Sequence, residues 1–300
     1  VSTGQQLEPA PSTLTLPASR ELDGELNGLP RRIWILWAQG REKMPPVPRA
    51  CLESWIGRNP GWEVELLSAQ TMRRFVHPLL YTPEARSQRP YRLSELARLD
   101  LLSRHGGVWA DATCFCVRPL DEWLPRCLRS GFFAFDRPGR DRLAASWFLA
   151  SAADGYIVQR MREALVDYYL GHALSDVGWR RLARRALDVP LNQSVATTAA
   201  WFAPPLPLLG ISPYLSFHYL FNRLVRSDAE FAAIWRRTVK LSADGPHSLG
   251  FHGFAARPSQ HLAGEIVQRR VPVYKLNWRI DPSTLSPRST LNTLLRTLER

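Results

Sequence analysis

An α/β fold with a largely parallel central sheet is expected from three features of this chain. A short apolar, β-prone run, RRIWILW from Arg31, ends at Gln39-Gly40. The stretch ACLESWIGR has helical character and stops at Asn59-Pro60, where the residue before a proline leaves the helical region. A second strand-like run, WEVELLS, follows it. Strand, helix and strand in that order form a βαβ unit, whose strands lie parallel.

The remaining elements follow along the chain. Residues 1–29 are rich in Pro, Ser, Thr, Gly and Glu and read as a tail. They show no basic segment followed by an apolar one, so they do not read as a signal peptide. LSELARLDLLSRH reads as a helix with Ser94 as N-cap and Gly106-Gly107 at its end. GVWADATCFCV then reads as one strand, and FFAFD and LAASWFLAS as two more. From Gly155 helical patterns dominate: YIVQRMREALVDYYL, DVGWRRLARRAL and DAEFAAIWRRTV. VPVYKLNW is a late strand. Sheet-forming segments thus fill the first half and a helical lobe the second.

Composition narrows the class. Hydrophobic residues make up 45% and charged residues 22%, which suits a globular chain with a real core. No apolar run approaches the roughly 18–20 residues that span a bilayer. Cys51, Cys114, Cys116 and Cys127 fit no zinc or thioredoxin spacing, so they are expected as buried or free thiols in a reducing, cytoplasmic compartment. The net charge is +12, and only Lys43, Lys240 and Lys275 among the 39 basic residues are lysines. An arginine excess suits a solvated surface, an anionic lipid surface or a polyanionic acceptor. No nucleic-acid recognition motif accompanies it, so nucleic acid is not expected as a partner.

The chemistry concentrates between Ser94 and Val117. On a continuous strand Asp111 and Thr113 would share one face with Trp109 and Phe115. A carboxylate in an apolar strand is costly unless it is paired or binds a metal. A hard divalent cation bridging a diphosphate would supply the reason. Glu95 and Arg98, three apart, share a helix face. They could orient sugar hydroxyls and a diphosphate, or simply form an intrahelical ion pair.

LSELARLDLLSRHGGVWADATCFC resembles the S-D-x-x-R…GG-[VI]-[WY]-x-D-x-[DT] segment of GT-A glycosyltransferases, most closely those of bacterial capsular polysaccharide synthesis. More distant relatives are the yeast initiating α-mannosyltransferases and the clostridial glucosylating toxins. LPRRIWILWAQG with SWIGRNPGWEVELL, SPYLSFHYLFNRLV and VPVYKLNW are similar to further blocks of that family. The resemblance runs from Leu29 to Ile280. It implies a tail at 1–29, a GT-A domain at 30–280 and a C-terminal helix or tail at 281–300. Within the domain, 30–154 would bind the nucleotide sugar and 155–280 would form the helical, acceptor half.

The resemblance also implies roles. Trp37 would stack on the nucleotide base, with Gln39, Gly40 and Ser94 beside the donor. Arg98 would contact the diphosphate or sugar. Glu95 stands where the family usually has Asp against the donor sugar. Asp111 would be the first acid of a Mn²⁺ or Mg²⁺ motif, with Thr113 in place of the second. His247 or His252 would complete the metal shell, and Lys275 would hold the leaving diphosphate. The implied activity is transfer of a sugar from a UDP- or GDP-sugar to a glycan or lipid-linked acceptor, with retention and in surface polysaccharide synthesis. It would take place in the cytoplasm, peripheral at the inner membrane face. The alternative is a non-catalytic nucleotide-sugar or glycan-binding protein on the same fold.

Overall fold

The computed structural model describes residues 28–298 apart from Ser87 and Asp176. The expected tail therefore lies almost wholly outside the described residues. The chain begins with β1 (Arg32–Leu36), α1 (Pro46–Arg58) and β2 (Glu63–Leu67), then α2 (Pro83–Arg86), α3 (Pro90–His105) and β3 (Gly107–Ala110). β4 (Cys114–Cys116), α4 (Leu124–Cys127), β5 (Phe132–Gly139) and β6 (Arg142–Ser151) follow. Helices dominate from there: α5 (Tyr156–Leu170), α6 (Gly178–Leu191), α7 (Ser216–Ser227), α8 (Ala229–Arg237), α9 (Asp244–His252) and α10 (Gln260–Val267). β7 (Val273–Lys275) and α11 (Thr290–Leu295) close the fold.

This is an α/β protein with a five-stranded central sheet in the order β2-β1-β3-β6-β5. β2, β1 and β3 run parallel, as the βαβ opening requires. β6 runs antiparallel to both β3 and β5, so the sheet is mixed rather than mostly parallel. The reason is local: β5 and β6 are separated by only two residues after Pro138-Gly139, too few for a crossover and enough for a hairpin.

The central strands are apolar on both faces because helices or loops cover both. Trp34, Trp109 and Leu149 face a core shared with α3, α5, α7 and α8. Ile33, Ile35, Val108, Ala110 and Phe148 face the opposite core with Trp55, Trp123 and Phe133. Alternation along each strand sends neighbours to opposite cores. Burial of each of these large side chains contributes about 1.5–3 kcal/mol.

Two expectations change. α3 starts at Pro90 rather than near Ser94, because proline is well suited to the first helical position. Ser94 therefore sits inside the helix and caps nothing. The expected single strand through Asp111 is two strands. β3 ends at Ala110, the chain turns through Ala112-Thr113, and β4 leaves the central sheet to pair with β7. All four cysteines are buried free thiols. No helix among the described residues is long and apolar enough to cross a membrane.

Candidate functional site

The site is built at the end of β3. Gly106 and Gly107 have φ of 64° and 97°. A Cβ on Gly107 would lie 2.5 Å from the Arg32 carbonyl oxygen, so only glycine lets α3 reverse into a strand against β1. After Ala110 the Asp111 N–H donates to the Trp147 carbonyl at 2.8 Å, and the Cys114 N–H donates back to the Asp111 carbonyl at 2.8 Å. This turn lifts the Asp111 side chain to the sheet's edge, 28% exposed.

Three donors converge on that carboxylate. Arg98 Nη2 reaches Oδ1 at 3.1 Å and Trp109 Nε1 reaches it at 2.9 Å. Lys275 Nζ reaches Oδ2 at 2.9 Å and Thr113 Oγ1 at 2.6 Å. The β4–β7 pairing places Lys275 opposite Cys114, which brings its ammonium to the turn. Burial pushes the Asp111 carboxyl up, but the Lys275 and Arg98 cations and the hydrogen bonds from Lys275 and Trp109 hold it below its ordinary value. Burial likewise opposes the Lys275 charge, and Asp111 outweighs it, so the ammonium is held above its ordinary value.

The cluster has donors to spare. An ammonium has three N–H groups, and Lys275 spends two of them on Asp111 and Thr113. The Arg98 side chain is only 6% exposed, and its Nε and Nη1 are buried without a hydrogen-bond partner. Its guanidinium lies over the Trp109 and Phe217 rings, 5.0 and 5.8 Å from their centroids. Beside the cluster Thr113, His247, Phe251, Lys275 and Trp278 line a cavity of about 420 Å³. That is within the range of small-molecule sites.

Glu95 lies on the same helix as Arg98 but does not pair with it. Its Oε2 accepts from the Tyr169 hydroxyl at 2.5 Å. Burial raises its carboxyl to about 7, against the opposing pull of Tyr169, Arg98 and Arg92. The intrahelical ion pair that the spacing allowed is therefore not formed. Arg92 itself is buried, donating to Gln88 Oε1 at 2.9 Å and Ser212 Oγ at 2.5 Å.

The other expected residues divide. Trp37 is half-buried, and its ring meets Trp278 edge-on at 6.1 Å, which links it to the cavity. Gln39 is exposed on the loop after β1, and Gly40 takes φ 83° there. His247 lines the cavity with its Nε2 buried and unbonded, and burial lowers its pKa. His252 is exposed, and its Nε2 is engaged with the Arg257 carbonyl at 2.8 Å. The structure thus brings His247 to the cleft and leaves His252 out of it. Sequence reading missed Trp109, Tyr169 and Trp278. Trp109 alone had a signal, two residues from Asp111.

In this structure the Asp111 carboxylate holds side-chain cations. Mg²⁺ takes about six oxygen ligands, commonly one or two carboxylates together with waters and substrate phosphates. Here one carboxylate has both oxygens taken by cationic donors, and the one nearby hydroxyl accepts from Lys275. Among the described residues no three His, Cys, Asp or Glu side chains come together as a metal set. Of the expected Mn²⁺ or Mg²⁺ shell, Asp111 and Thr113 are joined through Lys275, His247 lines the adjacent cavity and His252 lies outside it. The positive charge at Asp111 is that of Lys275 and Arg98.

Fold and cleft together define an α/β protein with a cationic cluster, Arg98 and Lys275 around Asp111, next to a cavity at the end of β3. The chain belongs to the capsular polysaccharide synthesis protein family, which its residues 15–176 match. It is 30% identical over 104 residues to HOC1 of Saccharomyces cerevisiae, named as a glycosyltransferase, covering 32% of this chain and 25% of that one. It is 32% identical over 138 residues to the O-glycosyltransferase PaGT of Phomopsis amygdali, covering 40% and 34%. To the O-glycosyltransferase braB of Annulohypoxylon truncatum it is 29% identical over 105 residues, covering 31% and 25%. The chain thus matches between a quarter and about a third of these relatives' length. Among solved structures it is similar to the PaToxG glycosyltransferase, with a TM-score of 0.40 and 10% identity over 68% of this chain and 73% of that one.

Proposed function

We propose that this protein is a glycosyltransferase that moves a sugar from a nucleoside diphosphate sugar to a hydroxyl of a glycan or lipid-linked saccharide. The observation that carries the reading is the unspent donor capacity of Arg98 and Lys275 around Asp111, beside a nucleotide-sized cavity. Family membership and the glycosyltransferase relatives support it. The family's description supports a role in surface or capsular polysaccharide synthesis.

As the glycosidic bond to the donor breaks, negative charge builds on the departing diphosphate. Arg98 and Lys275 would receive it, and fixed charges of this kind usually supply the greater part of a catalytic rate enhancement. Asp111 positions both cations and holds the Lys275 ammonium above its ordinary pKa. With Asp111 ionised the three together carry one net positive charge, which suits a diphosphate. Trp37 and Trp278 would hold the nucleotide base by stacking. Glu95, with a pKa raised to about 7, is part-protonated at neutral pH and can donate to or accept from a sugar hydroxyl. The acceptor would enter from a second cavity of about 700 Å³, lined by Arg137, Arg140 and Arg142, which shares Phe251 with the first. Asp111 is engaged by Arg98, Trp109 and Lys275, and the neighbouring Glu95 accepts from Tyr169, so neither carboxylate stands free as a double-displacement nucleophile. Same-face transfer with retention, the leaving phosphate taking the acceptor proton, is the mechanism proposed.

Radiolabelled transfer and donor hydrolysis test this with a panel of UDP- and GDP-sugars. The wild type should turn over one of them and Asp111→Asn should not, while still melting cooperatively. An inverted anomeric centre in the product by NMR would refute retention. Tight donor binding with no turnover would favour the non-catalytic binding protein.

A further inference from the structure

The helix α6 is the anomaly of the surface. It carries no fully buried residue. Its inner face is half-buried: Ala183, Leu187 and Leu191 pack against the main core. Its outer face is apolar too. Trp179 is 53% exposed, Leu182 67% and Val189 71%. With 3.6 residues per turn these three and the exposed Ala186 fall on one stripe. The patch continues beyond the helix. Val177 precedes it, and Leu208 and Leu209 join it because Arg180 Nε donates to the Leu209 carbonyl at 2.8 Å.

Arginines rim the stripe. Arg181 and Arg185, one turn apart, are exposed and form no ion pair among the described residues. The Arg180 guanidinium lies over the Trp179 ring, 5.0 Å from its centroid. The one acid of the helix, Asp188, pairs with Arg184 at 2.8 Å. The outward face is thus a strip of Trp, Leu and Val edged by uncompensated positive charge.

We propose that α6 lies in the headgroup region of an anionic lipid bilayer and seats the protein on it. Trp179, Leu182 and Val189 would enter the acyl boundary, the depth that such helices reach. Arg181 and Arg185 have stems long enough to lie along the apolar strip while their guanidinia stay among the phosphates. Charge decides for lipid over a protein partner: the rim is basic only, and the whole chain carries +12, which an anionic surface attracts at any approach angle. The chain that leaves α6, Ser194 to Ala196, lines the arginine-rich cavity of about 700 Å³, so docking would turn that cavity toward the lipid surface. None of the α6 side chains belongs to the Asp111 cluster, and the inference stands without the proposed activity.

Cosedimentation of the full chain with vesicles tests it. Phosphatidylcholine vesicles with about 30 mol% phosphatidylglycerol should bind the wild type at least tenfold better than phosphatidylcholine alone. Roughly 0.5 M NaCl should weaken that binding. Two double variants, Trp179→Ser with Leu182→Ser and Arg181→Glu with Arg185→Glu, should each lose about tenfold or more while keeping the wild-type melting curve. All four positions are solvent-facing or half-exposed, so folding is not at stake. Absence of binding to the anionic vesicles overturns the proposal. So does unchanged binding by the Trp179/Leu182 variant, since general basic charge would then suffice. A wild-type dimer in light scattering that the same variant dissolves also overturns it, because a second copy would then cover the strip.

Discussion

Asp100 and Asp111 each hold two cations, and α3 contributes to both clusters, yet they are built to opposite ends. Asp100 is 1% exposed, and every direction around it is closed. Its Oδ1 accepts from Arg162 Nε at 2.6 Å, its Oδ2 accepts from the His77 N–H at 2.7 Å, and Arg104 stands at 3.7 Å. Its partners come from α3, α5 and the loop before residue 78, so the cluster ties the helical half to the segment after β2. Asp111 is 28% exposed, with cations from α3 and β7, and its partner Lys275 lines a cavity. Both carboxylates are satisfied. The difference lies in the cations: at Asp111 the spare Arg98 donors are buried without a partner, whereas Arg104 and Arg162 are partly open to solvent. A buried ion pair adds little net stability, whereas fixed charge with donors in reserve is what an anionic ligand requires.

The largest effect expected from this contrast is on turnover at the open cluster. Lys275→Met should lower kcat by about 10²–10³ and cost less stability than loss of the Asp100 pair, since Arg98 and Trp109 still hold Asp111 Oδ1 and its partly exposed Oδ2 side can take water. If Lys275 and Arg98 alone hold the leaving diphosphate, a chelator such as EDTA should leave wild-type turnover within about twofold, where loss of a catalytic metal would cost far more. Steady-state transfer assays check both. Full loss with EDTA and recovery with Mn²⁺ would break the contrast, since Asp111 would then be a metal ligand.

The closed cluster should respond the other way. Asp100→Ala leaves Arg162 and the His77 N–H without their partner. Removing one member of a buried ion pair costs about 3–5 kcal/mol, read as a lower urea midpoint. The Michaelis constant for the donor should not move at temperatures where the variant is folded. A shift in that constant with no loss of stability would mean the two clusters are not separate.

Much of this was legible in the chain. The apolar runs at Ile33, Val108 and Phe148, the glycine pair at 106–107 and the helix carrying Glu95 and Arg98 are local patterns, and local patterns survive folding. The break at Asp111 was not legible, because Ala112 and Thr113 continue a strand as readily as they turn. What turns the chain there is the Trp147 carbonyl and the pairing of β4 with β7, which begins more than 150 residues later. The same long-range pairing brings the Lys275 ammonium onto Asp111. The bond between Glu95 and Tyr169 spans 74 residues and has no signature in either segment.

Glu95 gives the smallest effect and the finest test, because it belongs to neither cluster. It shares α3 with both, yet its hydrogen-bonded partner is a phenol, and burial holds its carboxyl at about 7 against 4.5 when free. The folded chain therefore binds this proton more tightly than the unfolded chain does. Its contribution to stability is complete below about 4.5 and is lost as pH rises through about 7, by at most about 1.4 kcal/mol per pH unit. Glu95→Gln keeps an acceptor for Tyr169 and cannot titrate. Urea midpoints compared across that window should fall with pH more steeply in the wild type than in the variant. Equal slopes would mean that Arg98 and Arg92 hold Glu95 ionised, and it would then be a third carboxylate of the same kind as Asp100 and Asp111.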